Sequence, residues 1–111
     1  MGHPLWAPLF ATPNHPEFPS AHSFHAGGFF TGLADVFGDN FEFTDNTYAN
    51  LSTSLGTLQP LIFHSFAEVK KAIVDSRVYA GIHYAPSCAK GIQLGEKVGQ
   101  NVLNTLKFLK E

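Results

Sequence analysis

Arginine is nearly absent. The 111 residues contain one, Arg77, beside six scattered lysines, and the net charge is −2. Without a basic stripe, nucleic acid is excluded as a partner. Cysteine is just as scarce: Cys88 stands alone, which excludes an intrachain disulfide and a cysteine zinc site and leaves the compartment open. No apolar run approaches the ~20 residues that cross a bilayer, so no transmembrane helix is expected. The opening Met1-Gly2-His3-Pro4-Leu5-Trp6 lacks a charged segment followed by an apolar stretch, so no signal peptide is read there. Charge of either sign is thin, at 14% of residues.

What the chain does have is apolar and aromatic. Hydrophobic residues make up 44%, and eleven are Phe. The length allows one domain, burying roughly 60–70% of the surface its unfolded form exposes. Such a composition fits a piece that packs against a missing half or a second subunit, because exposed apolar patches mark interfaces.

Five of the seven prolines lie within residues 1–19. Proline fixes φ and removes a donor, so this stretch reads as an irregular lead-in arm. A helix is expected from about Ser20 to Phe37, with Phe24, Gly28, Phe29, Leu33 and Val36 recurring on one face; Gly38-Asp39-Asn40 ends it. Phe41-Glu42-Phe43-Thr44 alternates as a short strand, Asp45-Asn46 is a turn signal, and Leu58, Leu61, Ile62 and Phe63 supply a second strand. A second helix opens at the capping box Ser65-Phe66-Ala67-Glu68 and runs to about Val78, its face marked by Phe66, Val69, Ala72, Ile73 and Ser76. A third opens near Pro86 and runs to about Leu109, with Ile92, Gly95, Gly99, Val102, Leu106 and Leu109 on one face. Gly91, Gly95 and Gly99 repeat every four residues, which lets two helix backbones approach closely. The expected fold is an all-α helical-bundle fragment of about three main helices with a small β-hairpin or loop insertion.

Two segments could carry chemistry. In Pro19-Ser20-Ala21-His22 a Ser hydroxyl and free amides meet at a helix start, where an anion is favoured, and His22 can exchange a proton near neutral pH. Taken alone, Ser20 reads first as a plain N-cap and His22 as a partly exposed helix residue. In Ser76-Arg77-x5-His83 a planar, permanently charged fork suited to phosphate-like oxyanions precedes a His, and Gly81 between them permits the bend that would aim both at one spot. Taken alone, these read as a surface ion pair and a satisfied His.

Together the segments resemble the paired C-terminal signatures of the vanadium-dependent haloperoxidase and phosphatidic acid phosphatase type 2 superfamily. The likeness continues through Gly81-Ile82-His83-Tyr84 and Gly91-Ile92-Gln93-Leu94-Gly95 and spans roughly residues 12–100. It implies the C-terminal catalytic half of such a domain, covering residues 1–111 with residues 1–19 as its arm. Ser20, the amide of Ala21 and Arg77 would bind an oxyanion, vanadate or competing phosphate. His83 would bond vanadium or attack phosphorus, and His22 would be the acid/base. The reaction implied is halide oxidation by hydrogen peroxide at a His-bound vanadate; the alternatives are hydrolysis of a phosphate ester through a phosphohistidine, or a non-catalytic truncated copy. His15, five residues before Ser20, is similar to the bromoperoxidase form. His3, His25 and His64 have no place in the pattern and read as ordinary polar residues.

The sequence also departs from that pattern. Ala21 replaces a glycine, whose methyl could crowd the oxyanion or force a changed φ. Ser87 stands where an Asp would orient the imidazole of His83, so a weaker ligand is expected there. The Lys-x6-Arg-Pro signature of the family is missing: Lys70 precedes Arg77 at the right spacing, but Val78 follows instead of Pro. The pocket is therefore expected to need another chain or a missing N-terminal half.

Overall fold

The computed structural model describes residues 7–106. His3 and the rest of residues 1–6, and the expected helix end at Leu109, lie outside the described residues. Helix α1 spans Ala21–Phe37, α2 Phe66–Tyr79 and α3 Ala85–Thr105. Between α1 and α2 the chain forms two nested antiparallel pairs rather than one hairpin. Strand β1 (Phe43–Asp45) pairs with β4 (Leu61–Phe63), and β2 (Ser52–Thr53) with β3 (Gly56–Thr57). The fold is the helical bundle with a small β insertion that the pattern implied.

Local chemistry sets the boundaries. Ser20 caps α1 by accepting from Ser23 N at 3.4 Å, which satisfies one of the amides a helix start leaves open. Ser65 Oγ caps α2 by accepting from Glu68 N at 3.2 Å. The Glu68 carboxylate reaches one residue further than a capping box requires and accepts from His64 N at 2.7 Å. Asp45 Oδ1 accepts from Thr47 N at 2.8 Å, closing the turn its position suggested. Pro86 lies in the first turn of α3, where its missing N–H leaves nothing unpaired.

Packing departs from the apolar stripes. The buried residues of α1 are Ser23, Ala26 and Gly27, whereas Phe29 and Val36 of the expected face are 62% and 71% exposed. On α3 the buried residues are Ser87, Cys88, Gly91, Gly95 and Gly99, while Val102 and Leu106 face outward. On α2, Phe66 and Val69 are buried but Ala72 and Ser76 are exposed. The reason is steric: the glycine ridge lets α3 lie directly on the backbone of α1. A Cβ at Gly91 would sit 2.6 Å from the Ser20 carbonyl oxygen, and one at Gly95 would overlap the carbonyl oxygen of Phe24.

A second cluster anchors the insertion. Phe66 meets Phe30, Phe41 and Phe43 at ring-centroid distances of 5.6, 5.7 and 6.2 Å, and Phe66 N donates to Asp39 O at 3.0 Å. Beyond this the buried apolar core among the described residues is Ala26, Val69, Ala80 and Cys88. The molecule is thin, with extents of 56 × 35 × 19 Å and a radius of gyration of 16.5 Å; a compact chain of this length has about 13 Å. Its accessible surface is 8372 Å², against about 6000 Å² for a compact monomer of this mass. Among the described residues no helix is long and apolar enough to cross a membrane.

Gly95→Ala should therefore lower the thermal midpoint followed by circular dichroism, because two backbones must separate. Gly32, with nothing within 4 Å of its built Cβ, is the control on the same helix pair: Gly32→Ala should stabilise by about 1 kcal/mol through helix propensity. Equal effects from the two substitutions would show that the close approach is not what holds the pair.

Candidate oxyanion site

The site forms where three pieces of backbone converge. Helix α2 ends at Tyr79, and Gly81 turns the chain with φ 74°, a left-handed conformation that L side chains rarely adopt. This turn separates Arg77, in the last turn of α2, from His83, two residues before α3. The arm docks on the same turn, with Leu9 N donating to Ala80 O at 3.1 Å. At the start of α1, Ser20 N donates to Ser87 O at 3.3 Å. The two signature segments are thus joined by backbone contacts of α1 and the arm with α2 and α3.

His83 is buried, 5% exposed, and its partners come from the arm. Its Nδ1 donates to the Glu17 carbonyl oxygen at 2.8 Å and lies 3.3 Å from the carboxylate Oε1 of the same residue. A carbonyl oxygen only accepts, so Nδ1 carries a proton, and in the neutral tautomer this fixes, Nε2 is the nitrogen with the lone pair. That Nε2 is buried and has no partner. The same Oε1 accepts from Tyr84 N at 3.0 Å, and Ser87 Oγ donates to the Glu17 carbonyl oxygen at 2.8 Å. The carboxyl of Glu17 is held below its ordinary proton affinity by the Tyr84 amide above all, against a smaller opposing effect of burial, with Ser87 and His83 assisting. His15 stacks on His83, the rings 5.7 Å apart and inclined by 19°.

The remaining residues are placed as follows. Ser20 is fully buried, and its Oγ accepts from both Ser23 N and Ser23 Oγ, which leaves its own proton to donate. Ala21 is the first residue of α1, and it is not among the residues with positive φ. The changed backbone feared for an alanine here does not arise. With Ser20 N and Ser23 N engaged, the amides of Ala21 and His22 are the donors left at this helix start. His22 and Arg77 line one cleft between α1 and α2, together with His25, Phe29 and Ile73. Arg77 Nε is buried and unpartnered. The proton affinity of His22 is lowered, first by burial and then by the charges of Arg77, His83, His15 and His25.

Several expectations change. Ser87 does not bond the His83 ring but reaches it through Glu17. The negative charge expected to be missing beside His83 is supplied by Glu17, because the arm folds back across 66 residues of sequence. Glu17 has no role in the sequence reading, where only its adjacency to Pro19-Ser20 points to it; His25, read as an ordinary polar residue, lines the cleft with His22 and Arg77. Lys70 is engaged by Glu96 at 2.6 Å, so it does not mimic the missing Lys. His64 pairs with Glu42 at 2.6 Å, away from the site.

Comparison with known proteins adds the following. The family model of the VCPO second helical-bundle domain matches residues 1–111. The crystal structure of the first bacterial vanadium-dependent iodoperoxidase is similar at 37% identity and a TM-score of 0.81, covering 96% of this chain and 25% of that one. The apo-type and holo-type bacterial vanadium-dependent chloroperoxidases, each at 20% identity, share the fold with TM-scores of 0.77 and 0.78, over 92% and 93% of this chain and 24% and 23% of theirs. The chain thus spans about a quarter of the length of these structures. No curated protein matches it.

The arrangement predicts a pH response. A His whose folded proton affinity is depressed leaves stability untouched while both states are neutral. Stability falls as pH drops through the unfolded value of 6.5 toward the lower folded midpoint, because the unfolded chain takes up the proton first. His22 should titrate below 6.5 in the folded chain by proton NMR, and Arg77→Ala should move its midpoint upward. An unchanged midpoint would place Arg77 too far away to act on it.

Proposed function

This chain belongs to the vanadium-dependent haloperoxidase family, and we propose that it carries the histidine side of a vanadate site that oxidises halide with hydrogen peroxide. The observation that carries the reading is the pair of buried, unpartnered nitrogens, His83 Nε2 and Arg77 Nε. Buried polar atoms without partners are costly, at about 1–3 kcal/mol each, and a ligand that accepts from Arg and takes a lone pair from His removes both costs. The donor set fits vanadate. Ser20 Oγ and the Ala21 amide can donate to its oxygens, Arg77 can neutralise charge, and His83 Nε2 can bond the metal. Vanadate, when bound, supplies an electrophilic centre at which peroxide is activated toward halide.

The chain's own residues supply the rest. Glu17 and the stacked His15 keep the His83 ring in one orientation. His22, its proton affinity lowered first by burial and then by the charge of Arg77, is the residue that would take up and return a proton. Two further cations are needed to balance such an anion, and Arg77 is the only arginine while Lys70 is committed to Glu96. They would come from a Lys-x6-Arg-Pro segment in a longer polypeptide or another chain, seated against the exposed apolar faces.

Phosphate has the same shape and would compete for these donors. The haloperoxidase reading is favoured by the iodoperoxidase similarity, whereas phosphate-ester hydrolysis would use His83 as the nucleophile. Vanadate should bind the chain, be displaced by phosphate, and lose its affinity in His83→Ala; Arg77→Ala should weaken it by about 1.5–3 kcal/mol. Vanadium NMR or titration calorimetry measures both. Joined to its cationic partner, the protein should peroxidise bromide or iodide only with vanadate present. Hydrolysis of phosphate esters without halide oxidation would sink the proposal.

A further inference from the structure

We infer that Glu17 is the positioning residue of this site, its carboxylate holding the His83 ring from behind so that Nε2 points, with its lone pair, at the bound oxyanion. The inference rests on the reading of His83 as the group that meets the oxyanion. Four hydrogen-bond contacts support it. The backbone carbonyl and the carboxylate of one residue lie 2.8 and 3.3 Å from the same ring nitrogen. Tyr84 N, next in sequence to His83, donates to the carboxylate at 3.0 Å, and Ser87 Oγ fixes the carbonyl at 2.8 Å. The carboxylate therefore grips both the ring and the backbone that carries it, while Ser87, one turn into α3, keeps Glu17 in place.

Two effects follow from ordinary electrostatics. The tautomer is fixed, because two acceptors at Nδ1 leave no room for a ring with its proton on Nε2. A negative charge behind a ring N–H also makes the opposite nitrogen a better electron-pair donor, and partners of this kind commonly change metal affinity by about 10–100-fold. The backbone carbonyl by itself can set the tautomer, but it adds no charge. The charge is what Glu17 contributes, and the Glu17 side chain is 38% exposed while that of His83 is fully buried, so its substitution leaves the packed interior intact.

Glu17→Gln separates charge from shape, since an amide can still accept from Tyr84 N. We expect this variant to keep its fold by circular dichroism and to bind vanadate at least about ten-fold more weakly, with inorganic phosphate weakened in the same direction. In the free chain the His83 Nδ1 proton, followed by nitrogen-15 correlation NMR, should move upfield. Glu17→Asp, which keeps the charge but shortens its reach, should fall between the two. Wild-type affinity and an unmoved Nδ1 proton in Glu17→Gln, or loss of its fold, would overturn the inference and make Glu17 a latch on Tyr84. If the unaltered chain bound neither vanadate nor phosphate, the functional reading would fail, and the free-chain NMR comparison would still decide whether the carboxylate acts on His83.

Discussion

The structure depends on the direct contact of two helix backbones. Glycines on α3 lie against the carbonyls of α1 with no room for a methyl group between them. Such a contact gains little from hydrophobic burial, because there are no side chains to bury, but it fixes separation and register closely, since shifting either helix brings carbon against carbonyl. The start of α1 thereby comes to rest on the first turn of α3, and Ser20 N finds Ser87 O. The candidate oxyanion site stands at that junction, so its geometry follows from the glycine ridge.

From the same junction the arm acquires its role. Residues 7–19 form no helix or strand, yet they carry Glu17 and His15 to opposite aspects of the His83 ring, one at its Nδ1 edge and one on its face. A proline-rich segment suits this task because fewer of its conformations must be given up on docking. The ring is thus held by hydrogen bonds at Nδ1 and by stacking on its face. What remains open on the ring is Nε2, and on Arg77 the buried Nε also lacks a partner, although Arg77 lines the cleft with His22, and His83 lines the one with His15 and Glu17. Among the described residues, these two nitrogens are the buried side-chain polar atoms without a hydrogen-bond partner.

The outer surface has the complementary property. Phe29 and Val36 of α1 and Val102 and Leu106 of α3 are exposed, and the small core of the described residues contributes little beyond the phenylalanine cluster around Phe66. This matches a chain that spans about a quarter of the structures it is similar to. The single arginine fits the proposed function in the same way: an oxyanion held here would draw most of its balancing positive charge from elsewhere.

Read alone, the sequence determined the helices, their start caps and the presence of a small β insertion, because each depends on short-range rules of capping and turn chemistry. Ser20 as cap, Gly81 as bend and Pro86 in a first turn all follow from neighbours within a few residues. It marked the glycine repeat of α3 as a place of close backbone approach, but it put Phe29 and Val36 of α1 and Val102 and Leu106 of α3 on packed faces, because hydrophobic periodicity assumes that apolar side chains seek the nearest helix, whereas here backbone does so. It also foresaw a His83 without a charged partner, since Ser87 was the only neighbour that spacing could offer. Only the tertiary structure decided that the carboxylate comes from Glu17, because a contact spanning 66 residues leaves no periodic trace. The scarcity of arginine was plain from the start; what it leaves unpaired could be seen only once Arg77 and His83 were in place.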